Sequence, residues 1–253
     1  MIVTFLTDFG LEDDFVGTCH GVIAGIAPDA RVIDITHGIA PQAVLQGAIV
    51  LRNVVPYMPV GVHLAVVDPG VGSQRRAIAL RGSGGRLFVG PDNGLLLLAA
   101  GDVEAARELT DPRFRLASVS RTFHARDIFS PAAAHLAAGV ALEELGPPID
   151  PEELVRVEVP PADPGRATVL TIDRFGNVAT NLRREHLPEP GTRVEVGVTL
   201  DRYYALVAET FADAAPGELI LYEDSYGMVT LAISNGNAAR LTGAAVGDEL
   251  LIA

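Results

Sequence analysis

The segment VVDPGVGSQRR, residues 66–76, sets an acid at the end of a β-branched run and two arginines after a Pro-Gly turn. If an arginine folds back over that turn to pair with Asp68, the acid acquires a lowered pKa and is a poor bulk base. It can still orient a water by accepting a hydrogen bond from it. The other reading is a tight turn with solvated arginines. In FHARD, residues 123–127, His124 stands at the entry to a helix. Imidazole has the unperturbed pKa nearest neutrality, so His124 outranks the carboxylates as a proton acceptor, unless it is a satisfied structural group. TDFG at 7–10 puts Asp8 just after the first strand, where α/β proteins collect ligand-binding residues. There Asp8 can accept hydrogen bonds from ligand hydroxyls, or Asp8 or Asp13 merely caps the next helix.

A second group lies downstream. IDRFGNVATNL, residues 172–182, carries Asp173, Phe175 and Asn177 at alternate positions around a glycine. In extended chain such alternation shares one face. An aromatic face beside an amide suits a flat heterocycle, because the ring stacks and the amide reads its edge. A hydrophobic anchor at a strand-to-turn junction would look the same. DSYG at 224–227 and SNGNAA at 234–239 are turn-forming segments whose hydroxyls and N–H groups could hold a carboxylate or a base edge, as hairpin turns also would. GPDNG at 90–94 reads as a turn. DFG also occurs in kinases, but no Gly-rich loop, VAIK or HRD element accompanies it, which excludes that reading.

These residues need a scaffold. Up to about residue 150, β-branched runs alternate with stretches of helical spacing: IVTFL, DDFVGTCHGVIAGIA, RVIDI, QAVLQGAIVLRNVV, VHLAVV. That alternation predicts βαβ units and a mainly parallel sheet, hence an α/β N-terminal domain over residues 1–160. DIFSPAAAHLAAGVA predicts a further helix, with Asp127 as N-cap and Gly139 near its end. VPPADPG at 159–165 excludes regular structure and places a boundary near residue 162. Beyond it, ATVLTI, RVEVGV, GELILY, MVTLAI and DELLIA predict an all-β, barrel-like domain over residues 166–253.

Composition narrows the function. The 253 residues carry a formal charge of -13 with 49% hydrophobic content, and no apolar run has the length of a membrane span. An acidic chain lacks the basic footprint needed for phosphate backbones, so neither nucleic acid nor membrane is an expected partner. The single cysteine, Cys19, rules out an internal disulfide framework. With no secretory signal pattern at the N-terminus, a cytoplasmic location is expected.

Taken in order, TDFGLEDDFVG, DITHGIAP, VVDPGVGSQRRAIA, PDNGLL, FHARDIFSPAAAHLA, DRFGNVATNL and SNGNAA resemble the S-adenosylmethionine (SAM) hydroxide adenosyltransferases, or SAM hydrolases, relatives of the SAM-dependent fluorinase and chlorinase. The resemblance covers essentially the whole chain. It implies an α/β domain, a C-terminal barrel-like domain, and a homotrimer with active sites between the N-terminal domain of one subunit and the C-terminal domain of its neighbour. It further implies that Asp68, Arg75 and His124 together activate the attacking water and that Asp8 holds the ribose hydroxyls. Phe175 and Asn177 would contact adenine, with the backbone near Asn237 and Ala238 on its edge, while Asp173 and Ser225 would hold the methionine amino and carboxylate ends. SAM is then the substrate, adenosine and L-methionine the products, and neither cofactor nor metal is expected.

The halide-using relatives carry tyrosines where Asp68 and His124 stand, which points here to water as the nucleophile. At the methionine end, Ala125 replaces the fluorinase's serine and Tyr226 its arginine. Three other readings compete: a halogenase; a metal-dependent phosphoesterase with Asp8, Asp68, Asp92, Asn93 and His124 as ligands; and a non-catalytic nucleoside- or SAM-binding module.

Overall fold

The computed structural model describes residues 1–163, 165–198 and 200–253. Pro164, part of the predicted break, lies outside them. The chain divides into two compact units, Met1–Glu158 and Val159–Ala253.

In the first unit, strands β1 (Ile2–Thr7), β2 (Arg31–Thr36), β3 (Val62–Val66), β4 (Ala77–Arg81), β5 (Leu87–Pro91), β6 (Ala105–Glu108) and β7 (Pro148–Ile149) form one sheet in the order β2-β1-β3-β5-β4-β6-β7. The β2-β1-β3-β5 side is parallel, as the βαβ pattern predicts, and the β5-β4-β6-β7 side is antiparallel. That reversal has a local cause: only residues 82–86 join β4 to β5, too few for a parallel crossover, so the pair closes as a hairpin. Helices α1 (Phe15–Ile26), α2 (Val44–Val54), α3 (Leu97–Ala100) and α4 (Ser130–Ala137) cover the sheet. Val3, Phe5, Leu64 and Val66 pack with Cys19 and Ile23 of α1 and Ala133 of α4, whereas Leu6, Ala65 and Val67 pack with Ala48 and Leu51 of α2 and Leu97 of α3. Central strands buried on both faces account for the unbroken apolar runs.

The helix predicted from Asp127 begins earlier than expected. A π-helical turn, Ala125–Phe129, follows His124 and leads into α4. Asp127 is therefore not an N-cap; it is fully buried, pairs with Arg126 at 2.6 Å and accepts the Ser120 N–H at 2.7 Å. Pro131 has no N–H to offer the carbonyl of Asp127, which accepts instead from Leu116 N–H at 2.9 Å. Gly139 does lie just past the helix end, at φ 101°.

In the second unit, β8 (Arg166–Ile172), β9 (Val178–Thr180), β10 (Arg193–Val198), β11 (Asp201–Val207), β12 (Leu219–Glu223), β13 (Val229–Ile233) and β14 (Glu249–Ile252) close a barrel in the order β10-β11-β12-β13-β9-β8-β14. Its interior holds Val169, Val196, Leu221, Val229 and Leu250, and the short helix α5 (Ala238–Thr242) packs against it through Ala238. No helix among the described residues is long and apolar enough to cross a membrane.

Inside the first unit, His63 of β3 is fully buried, held through Nδ1 by Thr4 Oγ1 at 2.8 Å, while its Nε2 has no hydrogen-bond partner. Burial, reinforced by the charge of Arg86, pushes its pKa down to about 4 from an ordinary 6.5. A depressed imidazole pKa means that the folded state binds fewer protons than the unfolded chain. Stability is therefore complete above pH 6.5 and is lost as pH falls towards 4, by about 3 kcal/mol at 1.36 kcal/mol per unit. Thermal melts at successive pH values check this: the double variant Thr4→Val/His63→Leu should lose clearly less stability over that interval than the parent.

Candidate active site

Parallel β1 and β3 end side by side, and the residues that follow them, Asp8 and Asp68, line a cleft of about 220 Å³. Phe9, Gln42, Phe123 and His124 complete much of its wall. Asp8 Oδ2 accepts the backbone N–H of Gln42 at 2.8 Å. Gln42 adopts φ 67°, an uncommon conformation for a non-glycine residue. Neither Asp8 nor Asp13 caps α1: its N-cap is Asp14, whose side chain makes no capping bond.

Arg75 does fold back over the Pro-Gly turn. Its Nε and Nη2 donate to Asp68 Oδ1 and Oδ2 at 3.1 and 2.5 Å, a bidentate pair in which each side chain is only 7% exposed. The Nη2 also lies 3.1 Å from His124 Nδ1, and the guanidinium sits 5.2 Å from the centre of the Phe129 ring. Gly72, at φ 78°, brings the turn so close to the carbonyl of Arg121 that a Cβ there would overlap it. That close approach draws the loop of Asp68 and the loop of His124 together. Arg75 thus stands behind both residues as a strut and is not part of the cleft wall.

The electrostatics correct one expectation. Pairing with Arg75 predicts a lowered pKa for Asp68, but burial outweighs it, and the carboxyl is pushed above its ordinary range against the pull of Arg75 and His124. His124 moves down, through burial first and the charge of Arg75 second, with Asp68 and Asp127 opposing. An arginine has donors only and keeps its proton. The Nδ1 of His124 must therefore be the acceptor of the Arg75 bond, which leaves neutral His124 with its proton on Nε2. Of Asp68, Arg75 and His124, the acceptor then available to a water is Asp68, since Arg75 occupies about two of the four lone-pair sites of a carboxylate.

The neighbouring arginine has a different task. Arg76 pairs with buried Asp92 at 2.7 Å and donates to the carbonyl of Glu153 at 2.7 Å, while Asp92 also accepts Val155 N–H at 3.0 Å. Asn93 is tied to the carbonyl of Val67 at 2.8 Å and accepts Leu95 N–H at 3.2 Å. GPDNG is accordingly a structural turn. A cation at Asp8, Asp68, Asp92, Asn93 and His124 would have to displace two arginines, which argues against the phosphoesterase reading.

In the second unit, Asp173, Phe175 and Asn177 lie together, although not by extended alternation. Residues 173–176 turn between β8 and β9: Asp173 Oδ1 accepts the N–H groups of Phe175 and Asn177 at 2.8 and 2.9 Å, and Oδ2 accepts the Asn177 amide at 2.8 Å. Gly176, at φ 84°, rests directly on the Asn237 side chain, where any Cβ would overlap. The three residues line a cleft of about 440 Å³ with Phe211, Ile233, Asn235 and Gly236. Phe175 is 67% exposed, with the Arg174 guanidinium 5.9 Å from its ring centre. Asn237 caps α5 by accepting Arg240 N–H at 2.7 Å, and Ala238 is buried; the cleft is lined instead two residues earlier, by Asn235 and Gly236. Ser225 is exposed on the 224–227 turn and is not among the residues lining this cleft. Tyr222, whose ring packs 5.0 Å from that of Phe211, has its hydroxyl pushed up to about 12 by burial and by Asp224 and Asp173, so it stays neutral.

Sequence reasoning missed Phe9, Gln42, Phe123 and Phe211 as wall residues. Phe123 adjoins His124 and Phe9 adjoins Asp8, so adjacency could have found them. Gln42 and Phe211 carry no local signal.

The chain matches two family models: residues 3–146 match the SAM hydroxide adenosyltransferase N-terminal domain and residues 167–251 the C-terminal domain. An (R)-S-adenosyl-L-methionine hydrolase of Salinispora tropica is 50% identical, over 99% of this chain and 97% of the relative. A fluorinase of an Actinoplanes species is 30% identical, over 95% and 92%. A crystal structure of an uncharacterized conserved protein from Thermotoga maritima superposes with a TM-score of 0.92 at 36% identity, covering 99% of this chain and all of that one.

Nitrogen-detected NMR of the imidazoles tests the derived geometry. Neutral His124 should show its proton on Nε2 and titrate below 6.5, and Asp68→Asn should lower that titration further by removing a nearby negative charge. An Nδ1–H tautomer, or a midpoint at or above the ordinary value, would contradict the Arg75 strut.

Proposed function

The chain belongs to the SAM hydroxide adenosyltransferase family, and from that premise we propose that it hydrolyses S-adenosyl-L-methionine to adenosine and L-methionine by attack of water on C5′. The observation that carries this reading is the cleft in which Asp68, braced by Arg75, faces the same space as His124 and Asp8. In the reaction the water oxygen bonds to C5′, the C5′–S bond breaks with its electron pair going to sulfur, and one water proton is released. Methionine departs as a neutral thioether, so no acid is needed at the leaving group. What remains is to align a water and take its proton.

Asp68 is suited to that second task because burial raises its proton affinity, while Arg75 fixes both of its oxygens. His124, with Nε2–H as a donor, orients the water by hydrogen bonding to its oxygen. Asp8 accepts from ribose hydroxyls with the oxygen that Gln42 leaves free. In the barrel unit, Phe175 stacks on adenine and Asn177 reads its edge beside the backbone of Asn235 and Gly236, leaving Asp173 and Ser225 for the polar ends of methionine. The working form is the homotrimer, each active site drawing its water-holding residues from one subunit and its adenine-holding residues from another. The reaction needs no cofactor or metal, and a lone buried Cys19 suits the reducing cytoplasm.

Replacing Asp68 or His124 by alanine should lower kcat by about 10²–10⁴ while calorimetry finds adenosine binding little changed; equal loss of binding would show that they hold ligand. Phe175→Ala should instead weaken adenosine binding. Co-refolding the Asp68→Ala and Phe175→Ala chains should restore part of the activity, since some sites then combine two intact halves. No recovery would oppose sites shared between subunits.

A further inference from the structure

A second cluster of chemistry-bearing side chains lies off the cleft. His20 of α1, Asp34 of β2 and His37 just beyond β2 bring two imidazole nitrogens and a carboxylate oxygen within 4.8 Å of one another. Asp34 Oδ1 lies 2.9 Å from His20 Nε2 and 3.2 Å from His37 Nε2. None of the three lines the cleft of Asp68 and His124.

His37 is the informative member. Its side chain is only 3% exposed, and its Nε2 faces Asp34 Oδ1 at 3.2 Å as an ion-pair contact without a well-formed hydrogen bond. The ring is held from its other side by Thr7 Oγ1, 2.8 Å from Nδ1, and from its edge by Phe5, with centroids 4.9 Å apart at 70°. Phe5 also backs His20, at 5.9 Å. A buried nitrogen left without a hydrogen bond carries a cost unless something else meets it.

We propose that His20, Asp34 and His37 form a site for a divalent transition-metal ion of the borderline class, with Zn²⁺ as the best fit. Two imidazoles and one carboxylate suit that class. Ligands about 2.0–2.1 Å from a tetrahedral ion lie roughly 3.3 Å from each other, close to the two nitrogen–oxygen separations here. The Thr7 hydroxyl serves as the outer partner that fixes the orientation of a ligating imidazole. The ion would tie α1 to the end of β2. Its reach towards the cleft is indirect: the His37 carbonyl accepts Gly10 N–H at 2.8 Å, and the loop that follows delivers Gln42 N–H to Asp8. The role is therefore structural and separate from the hydrolysis proposed above. It departs from the expectation of no metal ligand because residues 20, 34 and 37 are not spaced as a recognisable motif.

The full chain, freed of metal by chelation and dialysis, is titrated with Zn²⁺ while thermal stability is followed, and separately with Co²⁺ while its visible spectrum is recorded. The expected result is a rise in melting temperature saturating at one ion per chain and the absorption bands of low-coordinate Co²⁺. His20→Ala and Asp34→Asn, both at partly exposed positions, should fold as the parent does by circular dichroism and bind at least about tenfold more weakly. Absence of binding by the parent at millimolar Zn²⁺, or binding unchanged in both variants, would overturn the proposal. Neither result bears on SAM turnover, so the two readings fail independently.

Discussion

The buried pairing of Asp68 with Arg75 is the interaction on which the rest of the site depends. Two opposite charges, each 7% exposed, are stable only with good geometry and further hydrogen bonds. Here the guanidinium supplies both: two bonds to the carboxylate, one to His124, one to the carbonyl of Arg76, and a face against Phe129. Because arginine cannot accept a hydrogen bond, it also dictates the protonation pattern around it. One side chain thereby orients the acid, selects the imidazole tautomer and anchors the π-helical turn.

The fold makes that pairing possible by mixing strand directions. Parallel β1 and β3 deliver Asp8 and Asp68 to one edge, and because β4 runs antiparallel to β5, Arg75 and Arg76, which lead into β4, come to that same edge by the end of β5. Adjacent arginines then diverge, Arg75 towards Asp68 and Arg76 towards Asp92 and Glu153. The doublet in the sequence has one member for the site and one for the scaffold.

Much of this was legible from residue types. Strands such as IVTFL and VHLAVV carry the β-branched, apolar signature of a buried parallel sheet, and DPGVGSQRR announced a turn with an acid and a base across it. The misreadings share a cause: they concern outcomes set by partners distant in sequence. Asp127 looks like a helix cap until Pro131 and Leu116 are placed around it. Asp173, Phe175 and Asn177 look like one face of a strand, but the Asp173 carboxylate gathers the following N–H groups into a turn. The direction of the Asp68 shift depended on burial, which no local pattern encodes, and the same holds for Gln42, whose amide reaches Asp8 across more than thirty residues.

In the reaction proposed for this protein, Asp68, held by Arg75, delivers a water oxygen to C5′ of SAM. Turnover in ¹⁸O-enriched water with chloride and fluoride present, analysed by mass spectrometry of the nucleoside product, tests it most directly. The expected main product, with or without halide, is adenosine carrying the heavy isotope at its 5′ oxygen. Unlabelled adenosine, or a 5′-halogenated nucleoside as the main product, would contradict it.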